Sequence, residues 1–161
     1  MNDTIPGFTR RRIQVGDIAL SVQESGQGTP LILLHGFPQN GMCWSRVAPA
    51  FAAQNRVIIP DLRGYGHSGT PPDDAAHTAY SKRRMAGDIV ALMDALGLDR
   101  TAILGHDRGA RVTYRLALDH PGRVTRIGII EIAPTADYWD AWSAEMGLAA
   151  YHWTFLAQPA P

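Results

Sequence analysis

The sequence predicts an α/β domain on a mostly parallel sheet. Three observations predict it: short apolar runs alternate with helical patterns, two alternating segments meet at Gly16-Asp17, and Gly105-His106-Asp107-Arg108-Gly109 has the form of a strand-to-helix turn. Arg10 to Val15 and Ile18 to Gln23 flank the first turn and read as two antiparallel strands. Leu31-Ile32-Leu33-Leu34 is continuously apolar, as expected of a strand covered on both faces, and ends in His35-Gly36-Phe37-Pro38. Trp44 to Ala53 reads as a helix, and Arg56-Val57-Ile58-Ile59 as another buried strand closing at Pro60-Asp61. The segment Asp61 to Asp74 is rich in Gly, Pro, Ser and Asp; it is a loop within one domain, because regular patterns resume after it. Ser81 to Leu96 carries Met85, Ile89, Leu92, Met93 and Leu96 on one helical stripe, which Gly97 stops. Thr101-Ala102-Ile103-Leu104 is the strand before the 105–109 turn, Ala110 to His120 the helix after it, and Val124 to Ile132 a sixth strand ended by Pro134.

From Thr135 the pattern changes to an aromatic-rich helical stretch: Tyr138, Trp139, Trp142, Tyr151, His152, Trp153 and Phe155. A sheet ending on Val124 to Ile132 presents an apolar edge, which native proteins pair, cover or charge. The expectation is therefore the N-terminal part of a longer protein, with residues 1–135 in its core domain and 136–161 beginning a helical cap. The 161 residues are 45% hydrophobic and carry 15 basic against 15 acidic side chains, an ordinary soluble composition with no basic excess for nucleic acid. No apolar run approaches the roughly 20 residues that span a bilayer, and Met1 to Pro6 lacks the features of a secretory signal, so a cytoplasmic setting without a membrane partner is the default. Cys43, the single cysteine, has no partner for a disulfide or metal site and reads as a small buried or semi-buried residue.

Asp107 decides what chemistry is open to the chain. In the G-x-nucleophile-x-G turn the central residue is usually serine, which attacks acyl carbon. A carboxylate attacking an ester would give only an anhydride, with no downhill route onward. At a saturated carbon the same carboxylate can displace a halide or open an epoxide, giving an alkyl ester that water then cleaves at the aspartyl carbon. The competing reading is that Asp107 merely caps the following helix, a role aspartate favours.

With His35-Gly36-Phe37-Pro38, Asp61-Leu62-Arg63-Gly64-Tyr65-Gly66 and the aspartate turn in this order, the sequence resembles the α/β-hydrolase superfamily. Gly105-His106-Asp107-Arg108-Gly109-Ala110-Arg111, followed by Tyr151-His152-Trp153 and Phe155-Leu156-Ala157-Gln158-Pro159, is similar to the haloacetate (fluoroacetate) dehalogenase family from about Leu31 onward. The resemblance implies that Asp107 displaces halide from a 2-haloacid while Arg108 and Arg111 hold the substrate carboxylate. Positions three apart at a helix start are neighbours, and the helix N-terminus adds its own positive end. Without the resemblance, both arginines read as solvated surface residues. His152 and Trp153 match the halide-binding pair, whose alternative is to pack a helix against the core. Phe37 and Arg108 match the residues whose backbone N–H groups form the oxyanion site; Gly36 and Pro38 would shape that loop in any case. His35 and His106 sit beside the motifs and read as loop supports.

The family acid that orients the catalytic histidine is usually aspartate, and Glu131 stands at the matching position. The histidine itself, and a tyrosine that helps bind halide, come from C-terminal regions of the family that have no match in this chain. The implied partner is a small anionic organic substrate, with no cofactor and no metal; a homodimer is left open. An epoxide hydrolase shares the aspartate nucleophile and would need cap tyrosines such as Tyr138 and Tyr151. In that family, though, tryptophan usually follows the nucleophile, where this chain has Arg108. A non-catalytic fragment is the third reading.

Overall fold

The computed structural model describes residues 3–158; Met1 and Pro159, named above, lie outside the described residues. Strands β1 (Thr9–Val15) and β2 (Ile18–Ser25) form the expected antiparallel hairpin, with Val15 opposite Ile18 across the two-residue turn. Strand β3 (Thr29–Leu34) is parallel to β4 (Asn55–Pro60) and β5 (Thr101–His106), and β5 is parallel to β6 (Val124–Ile130). β2 joins this parallel set antiparallel to β4, so the sheet order is β1-β2-β4-β3-β5-β6. The architecture is the mixed sheet the sequence predicts, and β6 forms its last strand.

Alternation along the central strands divides the core. Ile32 and Leu34 of β3, with Ile58 of β4, face Met85, Ile89, Leu92 and Met93 of helix α2 (Lys82–Ala95) and Val112 and Leu116 of α3 (Arg108–Asp119). Leu33, Val57 and Ile59 point the other way, against Ile5, Phe8, Trp44 and Ala48. This is the period-2 geometry of a strand, and it explains why these runs carry no polar residue: both faces are covered. Each fully buried Leu or Ile contributes about 1.5–3 kcal/mol.

One helix starts later than the sequence suggests. The 44–53 segment is a 3-10 turn at Gly41–Trp44 followed by helix α1 (Ala48–Ala52). Pro49 fixes the boundary, because a residue without an amide hydrogen fits the first helical turn and not the interior. Cys43 lies on that short turn and is exposed, not buried. Desolvation of its sulfur, with Asp61 adding to it, nevertheless pushes the thiol up to about 12. β6 ends at Ile130, two residues short of the predicted limit, where Glu131 turns the chain with φ 63°. The aromatic stretch folds as three short helices, α4 (Thr135–Asp140), α5 (Ala144–Ala149) and α6 (Tyr151–Leu156). Among the described residues, no helix is long and apolar enough to cross a membrane.

Candidate functional site

Because β3, β5 and β6 run parallel, their C-terminal ends deliver His35-Gly36-Phe37, Asp107 and Glu131 to one edge of the sheet, where open α/β sheets place their ligands. Asp107 sits between β5 and α3 with φ 47° and ψ −115°, a conformation that L residues avoid and that occurs at sharp functional turns. The turn needs glycine after it: a Cβ on Gly109 would lie 2.4 Å from the Leu34 carbonyl oxygen. It needs glycine opposite it too, since a Cβ on Gly36 would stand 2.6 Å from both Cβ and Oδ1 of Asp107.

The Asp107 side chain does not cap α3. Its Oδ1 instead accepts a hydrogen bond from the Phe37 amide at 2.7 Å. No hydrogen bond from the Arg108 amide reaches the carboxylate, so of the two expected oxyanion donors the structure brings up Phe37 alone. His35 braces the donor loop from beneath: Leu62 N–H donates to its Nε2 at 2.9 Å, which leaves Nδ1 to donate to the Gly36 carbonyl at 2.9 Å. The ring is fully buried, and desolvation holds its pKa below the ordinary histidine value, so it stays neutral.

A cavity of about 590 Å³ opens beside the Asp107 carboxylate. Its wall includes Phe37, Arg108, Arg111, His152 and Trp153, all expected from the sequence, together with Lys82, Thr135, Trp139 and Tyr151. Arg111 is 7% exposed, which excludes the solvated-surface reading for it. Its guanidinium donates to Thr135 Oγ1 at 2.8 Å and lies 4.2 Å from the centre of the Trp153 ring. Burial lowers its pKa, opposed by Asp107, yet a guanidinium stays charged in proteins. Arg108 is half-buried, with its guanidinium 5.4 Å from the Phe37 ring centre and 5.9 Å from that of Tyr65. Trp153 also stacks on Tyr138, with ring centres 4.5 Å apart, so packing and cavity-lining roles coincide in this residue. His152 is exposed at the rim.

Glu131 stands apart from that wall. Its carboxylate, 76% exposed, pairs with His106 Nε2 at 2.7 Å, and Nδ1 of the same ring meets Gln39 Oε1 at 3.1 Å. His106 thus ties the end of β6 to the loop after β3, as a support. Sequence reasoning missed Lys82 and Thr135. Thr135 gives no motif signal. Lys82 gives a faint one, since it is the single lysine among fourteen arginines.

Chemically, the arrangement holds one carboxylate oxygen through a backbone donor and turns the rest of the group toward a cavity with a cationic, aromatic wall. Among the described residues, no group of three or more His, Cys, Asp or Glu is gathered as a metal site would require.

Comparison with known proteins agrees with this architecture. The family described as alpha/beta hydrolase fold matches residues 29–158. A fluoroacetate dehalogenase from Burkholderia sp is 45% identical over 155 residues, covering 96% of this chain and 51% of the relative. A soluble epoxide hydrolase from Corynebacterium sp. (strain C12) is 38% identical over 127 residues, covering 79% of this chain and 43% of that one. A crystal structure from Salmonella enterica, provisionally assigned as an acyltransferase, superposes with a TM-score of 0.97 at 49% identity, covering all of this chain and 54% of the other. The chain spans about half the length of the relatives it matches. Its sheet, its aspartate turn and these relatives place it together: the chain belongs to the α/β-hydrolase family.

Proposed function

We propose that this chain carries the nucleophile half of a hydrolase that dehalogenates small 2-haloacids, such as fluoroacetate or chloroacetate, through an aspartyl ester. Residues 1–135 form the core of that enzyme and 136–161 begin its helical cap. The observation that carries the reading is the Asp107 carboxylate, received at Oδ1 by the Phe37 amide at 2.7 Å and facing a cavity that Arg108 and Arg111 line.

A carboxylate substrate would be repelled by Asp107 alone, and the two guanidiniums offset that repulsion and orient the anion. With Oδ1 engaged, Oδ2 attacks the carbon bearing the halogen. The C–X bond breaks, halide leaves with the electron pair, and Asp107 becomes an ester. Water then adds to Cγ; negative charge develops on Oδ1, where the Phe37 N–H already points, a contribution on the order of 3 kcal/mol for one such donor. The bond from Cγ to the substrate oxygen breaks, glycolate departs with one water proton on its hydroxyl, the other proton passes to the water-activating histidine, and the carboxylate returns with one solvent oxygen. His152 and Trp153 line the cavity as candidate donors to the departing halide. Glu131 is the candidate acid for orienting the water-activating histidine.

A second reading, epoxide hydrolysis, is favoured by Tyr151, a phenol on the cavity wall that could protonate an epoxide oxygen, and by the epoxide hydrolases among the relatives. Tyr138, the other candidate, is stacked on Trp153. An epoxide offers no anion to the two arginines, which favours the haloacid. Halide release from chloroacetate and fluoroacetate, measured beside diol formation from styrene oxide in the full-length protein, decides between them. Halide release that is lost in Asp107→Asn is expected; diol formation without halide release would overturn the haloacid assignment.

A further inference from the structure

We propose that Lys82 is a third anion-binding residue of this cavity, its ammonium group making direct contact with the carboxylate of the substrate beside Arg108 and Arg111. The inference rests on the reading that the site takes a carboxylate-bearing substrate, and it identifies what selects such anions over neutral halides.

The placement is structural. Ser81 caps α2, its side chain accepting from the Arg84 amide at 3.1 Å, and this fixes Lys82 as the first helical residue. A cation there opposes the positive end of the helix dipole. The side chain is half-buried, lines the same cavity as Asp107, Arg108 and Arg111, and forms no hydrogen bond or ion pair with any described residue. The Arg108 guanidinium likewise has no carboxylate partner, only the faces of Phe37 and Tyr65. Elsewhere among the described residues the half-buried cations are tied down: Arg56 to Glu24, Arg115 to Asp119, Arg123 to Asp94.

The cavity therefore gathers three cations against one carboxylate, Asp107, for a net charge of +2. Burying cations without counterions is costly, and an incoming carboxylate offsets the cost. Desolvation, then Arg108 and Arg111, lower the ammonium pKa to about 8, with Asp107 opposing; Tyr151 and His152, both on α6, are the remaining titratable groups on the wall. An anion seated against Lys82 raises that value, so binding is full at neutral pH and weakens as pH climbs past it.

Lys82 is the single lysine of these 161 residues, and in the full-length protein its signal is identified by its loss in Lys82→Gln. Reductive methylation with 13C-formaldehyde labels Lys82 together with the other amines, and the labelled dimethylammonium of Lys82 keeps its charge. Titration with glycolate, the product, followed by carbon NMR and by fluorescence of the cavity tryptophans, is expected to move the Lys82 resonance and raise its titration midpoint. Lys82→Gln should weaken glycolate binding roughly 10-fold, the low end for one hydrogen bond to a charged group. Lys82→Arg should restore it, and affinity for neutral glycolamide should stay unchanged throughout. Glycolate binding reported by fluorescence with a stationary Lys82 resonance would overturn the assignment and leave the two-arginine reading standing. Absence of binding by either readout would overturn the carboxylate-binding reading together with it.

Discussion

At the scale of single residues, the proposed nucleophile is defined by what crowds it. Asp107 is held in a strained turn and pinned by the Phe37 amide, and Gly36 is the residue that lets the two loops approach so closely. Gly36→Ala places a methyl group 2.6 Å from both Cβ and Oδ1 of Asp107, so the carboxylate must rotate or the loop must retreat. A displacement near 1 Å at a reacting group can cost on the order of 100-fold. We expect that loss in the rate of Asp107 ester formation with chloroacetate, with little change in the thermal midpoint, measured by mass spectrometry and circular dichroism side by side. That Asp107, Phe37, Arg108 and Arg111 line one cavity was legible in the sequence because each belongs to a contiguous motif. Lys82 was not, since nothing in the order of residues says that the start of α2 stands beside the start of α3. Glu131 was singled out by its position after a strand, but its contact with His106 depends on how β5 and β6 lie side by side.

At the scale of elements, α2 is fastened to the loop after β4 by charge as well as by its apolar stripe. Arg63, 1% exposed, donates from Nε and Nη2 to the two oxygens of Asp88, each at 2.7 Å, and also reaches Asp17 at the hairpin turn at 3.0 Å. Arg84 shares Asp17 at 2.6 Å, and these cations hold the Asp17 carboxyl down at about 2, the Arg63 hydrogen bond foremost. Removing one member of a buried pair strands the other, at a cost of about 3–5 kcal/mol. Asp88→Asn is expected to lose that much in urea unfolding while Arg84→Gln, at an exposed pair, loses less than about 1 kcal/mol; equal losses would contradict this division. The strands and α2 were predictable because apolar period and a terminal glycine mark them. The start of α1 was misjudged because its apolar pattern extends across Pro49 while its hydrogen bonding cannot.

At the scale of the whole molecule, the same sheet that positions the site leaves β6 with neighbours on one side only, and Ile127, Ile129 and Ile130 remain 44%, 39% and 40% exposed. The apolar run in the sequence foretold that edge. Its partners in space were not legible, because β2 pairs with β4 and not with β3, a crossing that no local pattern encodes. The account as a whole stands on Asp107 acting at saturated carbon. Incubating the chain with chloroacetate and mapping the adduct by peptide mass spectrometry tests this most directly, since Cys43, the main rival for alkylation, has its thiol pushed up to about 12 and is a poor nucleophile at neutral pH. The account predicts one added carboxymethyl group, located on Asp107 and missing in Asp107→Asn; an unmodified Asp107, or an adduct that persists in that variant, would contradict it.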